Sequence, residues 1–327
     1  MQVNPIMIME AKVTQPRSTR FLIVGAGGRH GATGNYAARQ LLARGLPVRA
    51  FVRRTDERAD ELRALGAEIA VGDLGNYEAM LAALEGVRRA YFTYPLAEGL
   101  LEATTIFASA GQAAGLRSMV NMSQITARRN HPSPAARQHW LAERVLDWSG
   151  IAVTHLRPPF FLENLITLAG TTIQTEGKIY LPYGEGRHAP IAGEDVARVA
   201  VGILTDPDPH RSRTYVPTGG VSRSMAEMAT VFSRVLGRPV KYVDIPVERW
   251  RQILFSFDRE VMSPYLIEHL LRVAEAHQQG EFDALTDDVH TIGGASPKSL
   301  EAFIRKNATV FGLRQEPHPD ARQEALQ

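Results

Sequence analysis

Short apolar runs rich in β-branched and aromatic residues alternate with longer segments whose apolar residues recur at helical spacing, from residue 19 to about 157. Six of the short runs predict strands: FLIV, LPVRAFV, EIAVGD, RRAYFTY, SMVNMS and IAVTHLR. The segments between them, such as NYAARQLLARG and NYEAMLAALEG, predict amphipathic helices. Glycines that favour a left-handed helix end close these segments, namely Gly45, Gly66, Gly86, Gly115 and Gly150.

This alternation predicts an α/β fold, a doubly wound parallel sheet of the Rossmann type, because parallel strands need right-handed helical crossovers. We assign this domain to residues 19–158. After this domain the regular alternation of strands and helices ends. We predict a smaller carboxy-terminal lobe at 159–314, some of whose strands can rejoin the main sheet. Its predicted strands are RTYVPTG and VKYVDI, and its later helices are 224–237, 247–256, 264–279 and 299–311. Residues 1–18 and 315–327 are expected to be disordered tails.

Composition excludes several classes of function. The 327 residues contain no cysteine, which rules out disulfides, thiolate catalysis and cysteine-bound metal. The net charge is +2 and no run of like charges appears, so we expect no direct contact with nucleic acid. We interpret the acidic DALTDD segment as a solvated loop and expect no metal site. No apolar stretch is long enough for a signal peptide or a membrane span, and we expect a cytoplasmic protein without a membrane partner.

A glycine-rich segment, GAGGRHGATG, lies between the first predicted strand and helix. In that position backbone N–H groups and the helix dipole favour a dinucleotide pyrophosphate. The glycines form two overlapping triplets, Gly25, Gly28, Gly31 and Gly28, Gly31, Gly34. A strict G-x-G-x-x-G register from Gly25 fails because residue 30 is histidine. A tight turn that merely closes the strand and helix is the alternative.

The end of the second predicted strand is where the type of dinucleotide is selected. Arg53 and Arg54 follow this strand, and no carboxylate occurs until Asp56. A guanidinium suits the 2′-phosphate of NADP, whereas an acid would bind the ribose of NAD, so we predict a preference for NADP(H) over NAD(H). Solvation of a surface loop is the alternative. After the third strand, Asp73 could accept a hydrogen bond from adenine, with Leu74 beside it, or could form an ordinary Asx turn.

Several ordered stretches resemble the NmrA-like branch of the atypical short-chain dehydrogenases: IVGAGGRHG, PVRAFVRR, GAEIAVGDLGN, GVRRAYFTYP and SGIAVTHLRPPFFLENL. The last stretch is similar to a family signature through Arg157, Pro158, Phe161, Glu163 and Asn164. The resemblance implies an NADPH-binding Rossmann protein, either a reductase of small organic acceptors such as quinones and dyes or a nucleotide-sensing regulator.

The resemblance also helps to assign the glycine loop. Related loops place their last glycine eleven residues before the helix-ending glycine, a rule that Gly34 meets through Gly45. The loop therefore carries an apparent three-residue insertion, and which glycines contact the pyrophosphate stays open, with helix packing as an alternative role for Gly34. We predict that the cofactor site comprises Gly25, Gly27, Gly28, Arg29, His30, Gly31, Arg53, Asp73, Leu74, Tyr94 and Pro158.

The catalytic group cannot be the usual one. None of the nine tyrosines has a lysine four residues later, the pair that typical short-chain dehydrogenases use. His139 lies eleven residues before Gly150, where relatives of isoflavone reductase carry a lysine, and it could act as a general acid near neutral pH, oriented by Glu143. A cofactor or backbone contact is the alternative.

Ser123, after the fifth strand, could polarise a carbonyl or merely cap a turn, and Asn121 and Gln124 are weaker candidates. Substrate contacts are predicted for Phe160, Phe161 and Asn164, within a pocket rim that also includes Phe92, Thr93, Tyr94 and His155. A place in the hydrophobic core is the alternative for the aromatic residues at the strand ends.

Two functions follow. The first is an NADPH-dependent oxidoreductase that passes a hydride to a quinone or carbonyl compound. The second is a non-catalytic NADP(H) sensor that acts through a protein partner. The sequence leaves open whether the protein forms a homodimer.

Overall fold

The computed structural model describes residues 20–28 and 32–312. Both predicted tails, together with Arg29, His30 and Gly31, lie outside the described residues. The strands are β1 (Arg20–Val24), β2 (Val48–Val52), β3 (Glu68–Val71), β4 (Val87–Phe92), β5 (Ser118–Met122), β6 (Ala152–Leu156), β7 (Lys178–Leu181), β8 (Arg187–His188), β9 (Thr214–Tyr215), β10 (Arg223–Ser224) and β11 (Lys241–Asp244).

The helices are α1 (Thr33–Ala43), α2 (Glu57–Ala64), α3 (Tyr77–Leu84), α4 (Leu100–Ala113), α5 (Pro134–Trp148), α6 (Glu163–Glu176), α7 (Gly193–Thr205), α8 (Met225–Leu236), α9 (Val247–Phe255), α10 (Pro264–Gln278), α11 (Asp288–Thr291) and α12 (Leu300–Lys306).

A seven-stranded parallel sheet in the order β3-β2-β1-β4-β5-β6-β9 forms the centre of the molecule. The doubly wound fold and all six predicted strands are confirmed. Side chains of β1 alternate between its two faces, with Phe21 and Ile23 in one core and Leu22 and Val24 in the other. Helices therefore cover both faces of the sheet, as a parallel sheet requires.

The second half of the chain contributes to the main sheet as well as forming its own core. β9 pairs with β6 as the seventh strand of the main sheet, and α7 packs against α1. A separate apolar core includes Phe160, Phe232 and Trp250. β11 does not rejoin the main sheet but pairs with β7. The domain boundary at 158/159 remains a prediction.

Helix ends follow local sequence signals. The five glycines predicted to close helices have φ angles between +70° and +96°. The predicted helix at 299–311 is too long, because α12 ends at Lys306 and the chain then turns. The turn brings the buried ring of Phe311 against Phe232, with 5.0 Å between ring centroids.

Candidate active site

A cavity of about 770 Å³ opens at the carboxyl ends of the central strands, the edge where open α/β sheets bind ligands. The end of β1 lies in it between the ends of β2 and β4, where the strand order reverses. Thirteen of the predicted site residues line this cavity: Gly25, Gly27, Gly28, Arg53, Asp73, Leu74, Tyr94, Ser123, His139, Pro158, Phe160, Phe161 and Asn164. Their individual roles remain predictions, but the structure brings them together.

The glycine loop has two positions where only glycine fits. Gly25 has φ +82°, and a Cβ there would lie 2.3 Å from the Thr93 methyl carbon. Gly34 lies in α1, and a Cβ there would lie 2.7 Å from the Gly25 carbonyl oxygen. Close packing of α1 on the turn therefore explains Gly34, as the helix-packing alternative expects. The Gly28 N–H donates to the Gly25 oxygen at 3.0 Å and tightens the turn.

Three arginines surround the region where a 2′-phosphate is expected. Arg53 and Arg54 are exposed at the cavity wall, directly after β2. Arg58, which sequence reasoning missed, also lines the wall and donates to the Gly27 oxygen and, at 2.5 Å, to Asp56. Asp56 caps α2, and its hydrogen bond from Arg58 lowers the pKa of its carboxyl group. Arg58 therefore already engages the carboxylate that follows β2.

Asp73 and Tyr94 also line the cavity. Asp73 Oδ1 accepts from the Gly75 N–H at 2.8 Å, so the predicted Asx turn is present. The Tyr94 hydroxyl donates to the Glu98 carbonyl oxygen at 2.8 Å. Contacts of Asp73, Leu74 and Tyr94 with a nucleotide remain predictions.

His139 projects from α5 into the cavity, and its side chain is buried, with the residue 6% exposed. Burial lowers its pKa to about 4, and the nearby Glu143 charge opposes this shift only in part. The expectation that His139 titrates near neutrality is therefore wrong, because a desolvated imidazolium is unfavourable. At neutral pH this side chain is an uncharged hydrogen-bonding group.

Glu143 does not orient His139. Its fully buried carboxylate accepts from Arg157 through Nε at 2.8 Å and through a second, shorter bond from Nη2. The prediction failed because Arg157, at the end of β6, reaches across to α5 and takes both oxygens. Glu163 also has a structural role, since it accepts from the Gly193 N–H at 3.1 Å.

Ser123 lines the cavity, and its hydroxyl is buried in the cavity wall. The residue is 4% exposed, its N–H donates to the Leu156 oxygen at 2.7 Å, and its Oγ has no partner among the described residues. The turn-capping alternative is therefore wrong for this side chain. The Nε2 of the neighbouring Gln124 is also buried without a partner. Leaving a buried polar group unpaired costs about 1–3 kcal/mol, which indicates that a ligand completes this site.

Three residues considered in the sequence analysis do not line the cavity, namely Phe92, Asn121 and His155. His155 lies between Asn121, 3.0 Å from its Nδ1, and Asp147, 3.0 Å from its Nε2. Phe92 packs against Phe107 in the core, with 4.7 Å between ring centroids. The side chains at these strand positions point away from the cavity, because successive side chains of a strand point to opposite faces of the sheet.

The carboxy-terminal region supplies a wall that sequence reasoning missed. Leu266, His269, Leu270 and Val273 line the cavity along one face of α10. His269 is 4% exposed, and its Nδ1 lies 2.8 Å from the Ser133 Oγ. The available signal was a histidine at helical spacing within an otherwise apolar stripe.

Fold and cavity together define a protein of the NAD(P)-binding Rossmann class with a carboxy-terminal helical region. The glycine loop and the unpaired Ser123 hydroxyl fit an NAD(P) cofactor. Among residues 20–28 and 32–312, no helix is long and apolar enough to span a membrane, and no cluster of three or more potential metal ligands occurs.

The chain belongs to the NmrA-like family, whose model matches residues 17–304. It is 31% identical over 293 residues to an NAD(P)H azoreductase from Xenophilus azovorans, covering 89% of this chain and 99% of the relative. An NADPH-dependent quinone oxidoreductase from Escherichia coli, solved with NADPH, has TM-score 0.77 and 22% identity, covering 88% of this chain and 99% of that one. NmrA, a negative transcriptional regulator solved with NADP, has TM-score 0.71 and 19% identity, covering 89% of this chain and 95% of that one.

Proposed function

We propose that the chain is an NADPH-dependent reductase that transfers a hydride to a conjugated organic acceptor, such as a quinone, an azo compound or a carbonyl compound. The observation that carries this proposal is the continuity of the cavity. It joins the glycine loop and Arg53 at one end to Ser123, His139 and Phe160 at the other. The name of the azoreductase relative supports the general reaction, reduction by NAD(P)H.

The charges at the cofactor end favour NADPH over NADH. Arg53 and Arg54 are exposed after β2, and Asp56 is bonded to Arg58. A 2′-phosphate would meet guanidinium groups, which form short, charge-assisted hydrogen bonds with phosphate oxygens. A ribose 2′-hydroxyl would find the nearest carboxylate already engaged. The glycine loop would hold the pyrophosphate, while Asp73 would approach the adenine.

The acceptor end would position a flat molecule and stabilise the charge that develops on it. A bound NADPH supplies the hydride. The Ser123 hydroxyl is free to donate to an oxygen or nitrogen of the acceptor, and Phe160 and Phe161 offer apolar surface beside it. His139 is uncharged at neutral pH, so its imidazole can donate a hydrogen bond but does not serve as a reservoir of protons. The proton that completes reduction comes from solvent.

The test is NADPH oxidation by the purified protein with a panel of quinones, azo dyes and aldehydes, with NADH in parallel. We expect turnover with at least one conjugated acceptor and a higher kcat/KM with NADPH. Ser123→Ala should lower kcat by about 100-fold without weakening NADPH binding, because one donor to the acceptor is lost. Tight NADPH binding without turnover of any acceptor would refute the reductase proposal.

The second candidate is a sensor of NADP(H) that acts through a protein partner. It is favoured by the low pKa of His139 and by the absence of a tyrosine and lysine pair, because neither of these two expected general acids is then available to the acceptor. Submicromolar NADP(H) binding with no oxidation across the whole panel is the result that would select it.

A further inference from the structure

One face of α10 brings an unexpected polar group to the acceptor end of the cavity. Leu266, Leu270 and Val273 on this face are apolar, as packing of an amphipathic helix requires. His269 lies among them and is almost completely buried. A buried imidazole on an apolar face is unfavourable unless both of its nitrogens are used.

One nitrogen of His269 is fixed by Ser133, the residue that caps α5. Ser133 Oγ accepts from the Ala136 N–H at 3.3 Å and lies 2.8 Å from His269 Nδ1. Because the hydroxyl hydrogen has no other acceptor among the described residues, we assign it to His269 Nδ1. Nδ1 then accepts, and in the neutral imidazole the hydrogen is on Nε2. Nε2 has no hydrogen-bond partner among the described residues, although the side chain lines the cavity.

We propose that His269 is a hydrogen-bond donor to the acceptor, acting through its Nε2–H beside His139. This inference rests on the proposed reductase function. Both imidazoles line the same cavity, and a charge on His139 would further disfavour a charge on His269. Two neutral imidazoles can share one small space, whereas two imidazolium ions would repel each other.

The chemistry requires a donor that keeps its proton. Reduction places a hydride on one atom of the acceptor and moves an electron pair to the oxygen or nitrogen at the other end of the conjugated system. The His269 N–H stabilises the negative charge that develops on that atom, as neutral histidines do in other enzymes. The atom then takes a proton from water, so the acceptor gains one hydride and one proton.

Two amide substitutions separate hydrogen bonding at the cavity from hydrogen bonding to Ser133. His269→Gln carries its amide nitrogen near the position of Nε2, whereas His269→Asn reaches only the position of Nδ1. We expect His269→Asn and His269→Leu to lower kcat by about 100-fold, the loss typical of one preorganised donor, and His269→Gln to retain most of the activity. NADPH affinity should stay within about twofold of wild type, because His269 lies at the acceptor end. His210→Leu, which removes an imidazole away from the cavity, should leave kcat unchanged.

The proposal is overturned if His269→Leu retains kcat within twofold, or if the glutamine and asparagine variants lose activity equally. If His269→Leu does not fold, the comparison of His269→Gln with His269→Asn still tests whether a donor at the position of Nε2 is needed, since both amides are small and polar. Absence of turnover in the wild-type protein would instead refute the reductase function, so the two failures are distinguishable.

Discussion

Buried histidines should make the folded state sensitive to acid, and His188 offers the clearest measurement. Its side chain is fully buried, neither ring nitrogen has a partner in the described structure, and burial lowers its pKa to about 3. The pKa of an unfolded histidine is about 6.5. As the pH falls below this value, the unfolded chain binds a proton that the native His188 does not bind. The free energy of unfolding therefore falls with pH, and the loss continues until the native pKa is reached.

The size of this effect follows from linkage. Each such histidine destabilises the fold by about 1.4 kcal/mol per pH unit below the unfolded pKa, or about 2 kcal/mol between about pH 7.5 and pH 5. His139 and His269, whose pKa values are about 4 and about 3, should contribute similarly. The three together approach about 6 kcal/mol, a large part of the stability of a typical domain.

The assay is urea unfolding of wild type and His188→Leu at about pH 7.5 and pH 5, followed by circular dichroism. The variant should lose about 2 kcal/mol less than wild type between the two conditions. His290→Leu, at an exposed position on α11, should show the wild-type difference. An equal loss in His188→Leu and wild type would refute the assignment of acid sensitivity to this side chain.

Two further predictions concern the cofactor end. Arg53→Ala should weaken NADPH binding by about 10-fold or more while NADH binding changes little, because a charge-assisted hydrogen bond to a 2′-phosphate contributes about 1.5–3 kcal/mol. Equal losses in titrations with both cofactors would contradict the NADP assignment. Gly34→Ala should lower the free energy of unfolding by about 1–3 kcal/mol, because its Cβ would lie 2.7 Å from the Gly25 oxygen. Gly27→Ala, whose Cβ would meet nothing nearer than 3.8 Å, is the matched control in urea unfolding, and similar losses in both variants would argue against the packing role of Gly34.

The end of the cavity that we propose for the cofactor was predictable because its residues follow strands that the hydrophobic pattern identifies. Gly25 and Arg53 come directly after β1 and β2, Asp73 is the second residue after β3, and parallel strands bring their carboxyl ends to the same edge. Arg58 escaped notice because it lies within α2, and only the fold shows that it reaches back to the Gly27 oxygen.

The acceptor end was less predictable because its chemistry depends on burial and on distant partners. The sequence identified His139 but placed its pKa near neutrality and paired it with Glu143, whereas the folded chain buries His139 and gives Glu143 to Arg157. His155 belongs to the same group of errors, since its strand position turns it toward Asp147.

The sequence by itself determined the strands, most helix ends, the glycine loop and the arginines after β2, because these depend on local periodicity and on order along the chain. Tertiary structure decided which groups carry charge and which line the cavity. His269 meets Ser133 across a separation of 136 residues, a distance over which no local pattern specifies a contact. The protonation state of a side chain depends on the water removed around it, and only packing determines that environment.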